Sequence, residues 1–368
     1  MKSVMGVINL QANGDLIHEL SDRRAVEMLP FAGRYRLIDF ALSSLVNSGV
    51  LNVGVMLPAK SRSVLDHLRS GKDWDLARRH DGLYYLPMPL EEDARHYGDL
   101  KNFYYNIDFF ENNSAKYVIL ASGSFVYNID FLKILRFHQN TGAQITMVYH
   151  TADREMQGKN IVVETEANGL VSDIAEKPVV YDGAKMSLGI YLMEKRIFVE
   201  MIRYTYEHGG QDLLLDGIIR RMEDYTIFGC EHDGFVAHVD STAAYYKANM
   251  DLLKPENWET LFMGANPILT KTKDEVPVEY KESANVKNSL VANGCVIRGS
   301  VENSIIFRGV TIEEGAEIKN SIVMQKTHVK EDALLENVIC DKNVVIQKEK
   351  WLKGAANYPL IITKNTVV

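Results

Sequence analysis

Cysteine is scarce in this chain of 368 residues, which has three: Cys230, Cys295 and Cys340. They lie far apart and share no metal-ligand spacing, so we predict free, mostly buried thiols in a reducing compartment. Proline is also sparse, with nine residues, and the 25 glycines follow no period. This composition excludes collagen-like and low-complexity chains.

Long apolar runs are absent as well. No stretch of 18 apolar residues occurs, so the sequence predicts no membrane span. The first apolar run is too short for a signal peptide and is broken by Asn9, Gln11 and Asn13, which predicts a cytoplasmic protein. An excess of basic residues is also lacking, because 41 Lys and Arg against 49 Asp and Glu give a formal charge of −8. That balance argues against nucleic acid as a partner, whereas small phosphorylated ligands need only a few local cations.

Apolar residues are plentiful by contrast, at 46% of the chain, which excludes disorder of the whole chain. A single core stops growing near about 250–300 residues, so the length predicts about two domains. The first 250 residues alternate strand and helix signals, which is typical of a mostly parallel sheet with helices on both faces. The predicted strands are Ser3–Leu10, Leu51–Leu57, Tyr117–Ala121 and Ala143–Tyr149, and the predicted helix is Tyr35–Ser48.

Ligands of such sheets bind at the carboxyl ends of the strands, so the loops after Leu10 and Ala121 are the places to look for chemistry. Farther along, residues 158–177 alternate around Ala167-Asn168-Gly169, which predicts a hairpin whose Asn-Gly turn supplies the positive φ. Residues 245–253 are predicted as a helix, and a linker follows them.

The last hundred residues contain an internal repeat. Four stretches begin at Asn288, Asn303, Asn320 and Asn337, with spacings of 15, 17 and 17 residues. Within each stretch β-branched residues recur about every six positions, which is typical of a parallel β-helix of stacked coils. An ordinary antiparallel β domain is the alternative, although hairpins do not repeat in this phase. The open end of such a coil needs capping or pairing, so we expect an oligomer.

Several blocks resemble ADP-glucose pyrophosphorylases, the glucose-1-phosphate adenylyltransferases, in the same order along the chain. PFAGRYRLIDFALSSLVNSG at residues 30–49 is similar to the family block PFGGKYRIIDFxLSNxVNSG, and GKDWDLARRHDGLYYLP at residues 71–87 is similar to GxxWDLxRxxGGVxILPP. YYKANMDLL, EKP and SLGIY are similar to YWKANLDLL, EKP and SMGIY.

The resemblance implies an α/β fold. It consists of a Rossmann-like nucleotidyltransferase (GT-A-like) domain with a mostly parallel sheet, followed by a C-terminal left-handed parallel β-helix. We predict the nucleotidyltransferase-like domain over residues 1–253, a linker over 254–282 and the β-helix over 283–368.

The resemblance also implies a reaction. Members of the family join glucose 1-phosphate to ATP and release pyrophosphate and ADP-glucose for glycogen synthesis. Both reactants are polyanions, so their repulsion must be cancelled by cations, backbone N–H groups and Mg²⁺. In relatives these are supplied by a glycine-rich loop with an arginine, by a downstream lysine and by two aspartates that hold the metal.

This chain departs from that pattern at each device. Within the loop only Gly14 is kept of the glycines, and Leu16 stands where the family has arginine. Val26 replaces the lysine, and the two metal-binding aspartates fall on Ser124 and His238. We therefore interpret a set of positions as a vestigial nucleotide and metal site: Gly14, Gly123, Ser124, His238 and Asp240.

Magnitudes decide what these departures mean. Mg²⁺ is usually held by one or two protein carboxylates together with substrate phosphates, and losing one cation aimed at transition-state charge can slow phosphoryl transfer by about 10³-fold or more. We predict no catalytic residue, no metal and no cofactor in this chain, with Mg²⁺ bound by a catalytic partner. The alternative is relocation, in which Asp240 reaches the metal from two residues beyond His238 on one strand, and Arg23 or Arg24 replaces the lysine.

The sugar-phosphate half of the site is kept. By the resemblance, Glu176 and Lys177 offer a carboxylate to sugar hydroxyls and a cation to phosphate, and Ser187 and Gly189 line the same pocket. The plain alternative for the first two is a surface ion pair that ends a hairpin.

Two arginines, Arg34 and Arg36, occupy the region where the family binds anionic activators such as sugar bisphosphates, and the alternative for them is a solvated start of a helix. The selective loss predicts a regulatory subunit that associates with a catalytic ADP-glucose pyrophosphorylase subunit in a hetero-tetramer. An active enzyme with relocated ligands and a free-standing sensor of a sugar phosphate are the alternatives.

Overall fold

A computed structural model of the chain describes residues 1, 3–10, 15–89 and 98–368. Their α-helices are α1 (His18–Ser21), α2 (Leu37–Asn47), α3 (Arg62–Leu68), α4 (Leu100–Tyr105), α5 (Ile107–Asn112), α6 (Phe131–Thr141), α7 (Lys195–Glu207), α8 (Thr242–Asp251) and α9 (Pro255–Phe262). The strands of the first 250 residues are β1 (Val4–Asn9), β2 (Pro30–Phe31), β3 (Tyr35–Arg36), β4 (Asn52–Met56), β5 (Gly82–Leu86), β6 (Tyr117–Ser122), β7 (Phe125–Val126), β8 (Ile145–Thr151), β9 (Met156–Thr165), β10 (Val171–Val180), β11 (Lys185–Glu194), β12 (Ile227–Glu231) and β13 (Ala237–His238).

Contacts divide the chain into two compact units. The first unit comprises Met1–Ala12, Phe40–Val236 and Ala265–Leu269, and the second comprises Asn13–Asp39, Ala237–Gly264 and Thr270–Val368. The predicted boundary at residue 253 stays a prediction. The segment predicted as a linker contains α9 and the first strand of the second unit's coil, which begins at Glu279.

A mixed sheet forms the centre of the first unit, with strand order β10-β9-β11-β6-β1-β4-β5, and β8 joins β11 to β12. The four adjacent strands β6, β1, β4 and β5 are parallel to one another, which confirms the predicted mostly parallel sheet. Strand β1 is buried along almost all its length. A Cβ on Gly6 would lie 2.8 Å from Leu45 Cδ1, so the missing side chain lets α2 pack directly on β1.

The predicted elements exist with shifted ends. The helix predicted from Tyr35 begins at Leu37, because Tyr35 and Arg36 pair with Phe31 and Pro30 in a short antiparallel ribbon. The hairpin around the Asn-Gly turn is confirmed: β9 and β10 are antiparallel, and Gly169 has a φ of +88°. The three thiols are free, as predicted.

A parallel β-helix forms much of the second unit. Its strands are β14 (Glu279–Tyr280), β15 (Asn285–Lys287), β16 (Leu290–Val291), β17 (Val296–Ile297), β18 (Ser300–Glu302), β19 (Ile305–Ile306), β20 (Thr311–Ile312), β21 (Glu317–Lys319), β22 (Ile322–Val323), β23 (His328–Val329), β24 (Leu334–Glu336), β25 (Val338–Cys340), β26 (Val345–Ile346), β27 (Trp351–Lys353) and β28 (Leu360–Ile362). They stack into three five-stranded parallel sheets, and the coil is the left-handed β-helix that the repeat and the family resemblance predict.

The repeated asparagines mark one corner of each coil. Each follows a three-residue strand and has a positive φ between 40° and 53°, at Asn288, Asn303, Asn320 and Asn337. Asparagine tolerates this left-handed conformation better than most residues, and Asn288 Nδ2 donates to Asn303 Oδ1 at 2.7 Å. The repeat period therefore reflects one turn conformation copied from coil to coil. Among the described residues, no helix is long and apolar enough to cross a membrane.

Candidate functional site

The carboxyl ends of two central strands of the first unit, β1 and β6, lie side by side. Asn9 ends β1 and is in register with Ser122 of β6, and Gly123 N–H donates to Asn9 O at 3.3 Å. Ser124 is buried, and its hydroxyl lies 2.9 Å from Ser122 Oγ. The position at which the family resemblance predicts a metal-binding carboxylate is thus a neutral hydroxyl engaged with its neighbour.

The predicted sugar-pocket residues of β11 lie beside this loop. Ile190 is in register with Ala121 of β6, and the strand is irregular between Ser187 and Ile190. Gly189 has a φ of +63°, and a Cβ there would lie 2.9 Å from Ser122 Cβ. The structure therefore brings Ser187 and Gly189 to the same strand ends as Gly123 and Ser124.

Hydrogen bonds hold the irregular turn of β11 in shape. Ser187 is buried, its Oγ accepts from Gly189 N–H at 3.3 Å, and it lies 3.3 Å from the hydroxyl of Tyr191. Burial raises the pKa of Tyr191, so this hydroxyl stays a neutral donor. The turn is therefore held in one shape by its own buried polar groups.

Glu176 and Lys177 lie within β10, opposite Ile161 and Asn160 of β9. Both side chains are exposed. They lie in the middle of the ten-residue strand β10. The alternative, an ion pair at the end of the hairpin, therefore places these two residues wrongly. Glu176 acts electrostatically on Asp212, which connects it to the group described next.

An acidic centre, formed by Asp99 and Asp212 with Asn9, was missed by the sequence analysis. Asn9 Nδ2 donates to Asp99 Oδ2 at 2.6 Å, and Leu213 N–H donates to Asp99 Oδ1 at 2.8 Å. Asp212 caps the following helical turn by accepting from Leu215 N–H at 2.8 Å. The centre thus ties the end of β1 to the residues before α4 and to the segment after α7.

Repulsion between these carboxyls changes their protonation. Burial and the Asp212 carboxylate raise the pKa of Asp99 to about 7, against the pull of the N–H donors. Burial also raises the pKa of Asp212, and the carboxylates of Asp216 and Glu176 add to the shift. One proton is therefore held in this centre near neutral pH. Asn9 Oδ1, which is buried without a partner among the described residues, is an available acceptor for it after an amide flip.

His238 and Asp240 belong to the second unit, and Gly14 lies outside the described residues. Strand β13 ends at His238, so the predicted placement of both side chains on one face of a strand is wrong: the chain turns at once into Ser241, which caps α8. Burial lowers the pKa of His238, opposed by the Asp240 carboxylate. Asp240 Oδ2 is buried without a hydrogen-bond partner in the described part of the chain.

The residues at the two positions where the resemblance predicts metal ligands, Ser124 and His238, do not fit Mg²⁺. They offer a serine hydroxyl and an imidazole, and Mg²⁺ prefers carboxylate oxygens. Among residues 1, 3–10, 15–89 and 98–368, no three His, Cys, Asp or Glu side chains are grouped so as to hold a metal ion. We derive no chemical step through Mg²⁺ in this chain.

A cationic cluster lies in the second unit and includes the predicted Arg34 and Arg36. Its members influence one another electrostatically in a continuous series: Arg24, Arg34, Arg36, Lys273, Arg308 and Lys342. Arg308 is 7% exposed, and its Nε has no hydrogen-bond partner among the described residues. Burial together with Arg36 and Arg24 lowers the pKa of Lys342 to about 6. Burial is the main cause of the lowered pKa values in the cluster, and the carboxylates of Asp39, Glu275 and Asp341 oppose the lowering without cancelling it.

The backbone before α2 positions the two predicted arginines. Arg36 Nη1 donates to Met28 O at 3.1 Å, and its backbone N–H donates to Asp39 Oδ2 at 2.9 Å. The guanidinium of Arg34 lies 5.6 Å from the centre of the Tyr35 ring. A merely solvated helix start does not describe Arg36, because its guanidinium is directed back toward the preceding turn, whereas Arg34 is exposed.

Arg24 is paired instead with a carboxylate of the β-helix, Asp341. Both side chains are buried, at 8% and 5% exposure. The pair lines a cavity of about 290 Å³, together with His18, Glu19, Leu20, Asp22, Arg23, Thr363 and Lys364. The relocation alternative assigned Arg24 to the lost lysine, and this ion pair commits the guanidinium elsewhere.

The signals for these missed groups were weak in the sequence. Asp99 and Asp212 stand 113 positions apart, and neither belongs to a spacing pattern. Asp341 lies in a repeat where most acidic residues are surface turns. Only the fold shows that each of them lies beside other charges, with Asp341 buried and the other two partly buried.

Comparison with known proteins gives a consistent family. Residues 13–254 match the nucleotidyl transferase family model, and residues 275–352 match the model of the GlmU-like C-terminal hexapeptide. The chain is 37% identical over 99% of its length to the glycogen biosynthesis protein GlgD of Bacillus subtilis (strain 168), covering 96% of that protein. It is also 37% identical to the GlgD protein of Geobacillus stearothermophilus, with 99% and 97% coverage. A glucose-1-phosphate adenylyltransferase of Mycoplasma mobile is 30% identical, with coverage of 86% of this chain and 85% of that enzyme.

Proposed function

The chain belongs to the nucleotidyl transferase family, and from that premise we propose that it is a regulatory subunit of glucose-1-phosphate adenylyltransferase with little or no catalytic activity of its own. The names of its relatives support a role in glycogen biosynthesis. Its partner is a catalytic subunit that binds Mg²⁺ and makes ADP-glucose, and the two form a hetero-tetramer.

The carrying observation is the state of Ser124. Its hydroxyl is buried against Ser122 at the carboxyl end of β6, where a metal-binding carboxylate is needed to bring two phosphorylated reactants together. The loss extends to Val26, which is fully packed in the core at the lysine position. A chain that lacks these groups acts by changing the state of a partner.

The sugar-phosphate pocket supports a retained ligand. Ser187 and Gly189 form a turn of fixed shape beside Ser122, and Glu176 and Lys177 lie exposed on β10. We assign to this group the binding of a sugar phosphate without its conversion. Binding energy spent on such a ligand stabilises one conformation of the subunit.

The cationic cluster supports an effector site for a phosphorylated anion. Arginine cannot give up its proton in proteins, so a buried guanidinium such as that of Arg308 is stabilised by an anion that carries several oxygens. Arg34 and Arg36 belong to the same cluster. We assign the regulatory input to this region of the second unit.

One observation favours a second function, an active nucleotidyltransferase. The Asp240 carboxylate has a buried oxygen without a hydrogen-bond partner in the described residues, which is the condition of a ligand waiting for a cation. This function requires that purified chain alone releases pyrophosphate and that Asp240→Asn abolishes the release.

The test is an assay of pyrophosphate release with ATP, glucose 1-phosphate and Mg²⁺. We expect the chain alone to stay at the level of a blank, and the catalytic subunit to co-purify with it and to change its turnover or its response to activators. The catalytic subunit alone is the matched control. Failure of the two chains to associate would overturn the proposal, and so would brisk synthesis of ADP-glucose by the chain alone.

A further inference from the structure

The contact between Arg24 and Asp341 joins two parts of the second unit that are 317 residues apart in sequence. Arg24 Nε also donates to Leu20 O at 2.8 Å, within the turn that follows α1. The guanidinium therefore has a fixed direction, and one of its Nη atoms points at the Asp341 carboxylate. An arginine held in this way presents a fork of donors to whichever anion occupies that place.

Asp341 is fixed just as firmly. Its Oδ1 accepts from Lys342 N–H at 2.7 Å, its backbone N–H donates to Ile362 O at 2.9 Å, and its carbonyl accepts from Thr327 Oγ1 at 3.2 Å. The carboxylate is thus delivered to Arg24 by the rigid coil of the β-helix. It is not a flexible side chain that happens to fold over.

Charge around the pair is unbalanced. Arg36, Lys273 and Lys342 act on the same region, and Asp341 is the carboxylate that contacts Arg24 there. Lys342 is mostly uncharged at neutral pH because burial first, and then Arg36 and Arg24, lowers its pKa to about 6 against the opposing effect of Asp341. A second negative charge would be stabilised in this place.

The adjoining cavity has room for such a charge. Its volume of about 290 Å³ is near the lower end of small-molecule sites, about 300–1,000 Å³. The cationic side chains of Arg23 and Lys364 line it beside Arg24, together with the imidazole of His18, the hydroxyl of Thr363 and the carboxylates of Glu19 and Asp22. Its size suits a small phosphorylated anion held by the three cations, and the Arg24–Asp341 pair forms part of its wall.

We propose that Asp341 is a built-in substitute for an anionic ligand, which occupies Arg24 and keeps this cavity from binding phosphorylated anions tightly. The inference rests on the effector site under the proposed function and describes how that site is regulated. A tethered group competes at an effective concentration of about a millimolar or more, even on flexible linkers, and Asp341 is held rigidly. Free anions below that concentration do not displace it.

The test is a gain of binding. Asp341→Asn keeps the acceptor for Lys342 N–H but removes the charge, so we expect it to bind inorganic pyrophosphate at least tenfold more tightly than the unchanged chain, measured by titration calorimetry on the chain alone. Glu331→Gln, which removes an exposed carboxylate of the same β-helix, is the matched control and should not gain binding. Arg24→Met combined with Asp341→Asn should lose the gain.

A folded Asp341→Asn variant that binds pyrophosphate no better than the unchanged chain would overturn the inference. Equal gains in Glu331→Gln or in the double variant would do the same, because the gain would then not pass through Arg24. If Asp341→Asn folds poorly, Asp341→Ser is the second variant, since serine also accepts local N–H groups. For either variant, pyrophosphate must raise the unfolding temperature more than in the unchanged chain, and absence of this extra rise contradicts the inference.

These readouts need no catalytic partner. A gain of pyrophosphate binding together with no effect on the catalytic subunit would leave this inference standing while the proposed function fails. Regulation of the partner without any gain of pyrophosphate binding in Asp341→Asn would leave the proposed function standing while this inference fails.

Discussion

The two units each contain a partly buried group of like charges, and the two groups have opposite signs. In the first unit Asp99 and Asp212 lie close together and are each partly buried, and the pKa of Asp99 rises to about 7. In the second unit Arg24, Arg36 and Arg308 lie close to two lysines. A carboxyl group relieves repulsion by binding a proton, whereas arginine has no such route. The acidic centre therefore relieves its repulsion by binding a proton from solvent. The cationic cluster needs a carboxylate of the chain or an anion from solution.

This difference suggests a structural role for the acidic centre and a regulatory role for the cationic cluster. The acidic centre connects β1, α4 and the segment after α7 by hydrogen bonds, and it needs no ligand. The cationic cluster retains a buried guanidinium nitrogen without a partner in the described residues. Where a fold leaves a charge that it cannot neutralise itself, a ligand of opposite sign is the natural completion.

Arg24→Met should cause the largest loss of stability among these variants, because it leaves the Asp341 carboxylate buried without the guanidinium that pairs with it. Removing one partner of a buried ion pair costs about 3–5 kcal/mol of unfolding free energy. Urea unfolding measures this loss. Adding Asp341→Leu should recover most of it, since an apolar pair of similar volume is often tolerated.

Lys319→Met removes one partner of an exposed pair with Glu317 and is the control for that experiment. It should leave the unfolding midpoint unchanged. Equal losses in Arg24→Met and Lys319→Met would show that the buried pair carries no special weight in the second unit.

Gly189→Ala tests the turn of β11 in the first unit without changing any charge. The alanine Cβ would lie 2.9 Å from Ser122 Cβ at a φ of +63°, so we expect a loss of about 2–3 kcal/mol from backbone strain and overpacking. Titration calorimetry should also show that binding of glucose 1-phosphate is lost.

Gly183→Ala separates strain from contact in that experiment. Gly183 also has a positive φ, of +80°, but nothing lies within 4 Å of its Cβ position. It should lose about 1–2 kcal/mol and keep any sugar-phosphate binding. If both variants bind glucose 1-phosphate like the unchanged chain, the turn is not part of a sugar site.

Asp99→Asn should have the smallest effect at low pH, where the protonated carboxyl group and the amide are alike, and an effect on stability that grows as the pH rises. The folded chain holds a proton at Asp99 up to about pH 7, whereas an unfolded aspartate releases it near pH 4. Stability contributed by this proton is present at low pH and is lost as the pH rises through this window, with a slope of at most about 1.4 kcal/mol per pH unit.

Asparagine keeps the shape of the carboxyl group without the titration, so the slope should flatten in Asp99→Asn. Denaturant unfolding at a series of pH values between 4 and 8 measures it. An unchanged slope would mean that the acidic centre does not hold this proton.

Elements governed by local pattern were predictable. The Asn-Gly hairpin, the buried strand β1 and the asparagine corners of the β-helix follow from turn chemistry and periodicity that a few neighbouring residues carry. The start of α2 was missed by two residues because Tyr35 pairs with Phe31, a contact that helical periodicity does not report.

The candidate site was predictable only in part. Family blocks pointed to Ser124, Ser187 and Gly189, and the structure brings their strands together. The position of Asp240 was predicted wrongly, because strand alternation was extended past His238, where the strand ends. The resemblance carried no information on Asp99 or Asp341 as charged groups, because their meaning depends on which charges surround them in space.

The order of residues alone determined the frame of this protein: the alternation of strands and helices and the period of the coil. It also carries the prediction that Ser124 and His238 stand at metal-ligand positions. Tertiary structure decided which charges are buried together, as in the pairing of Arg24 with Asp341 across 317 residues. The reason is physical. Backbone conformation depends on neighbours along the chain, whereas the energy of a charge depends on burial and on the charges around it, and both are set only when distant segments meet.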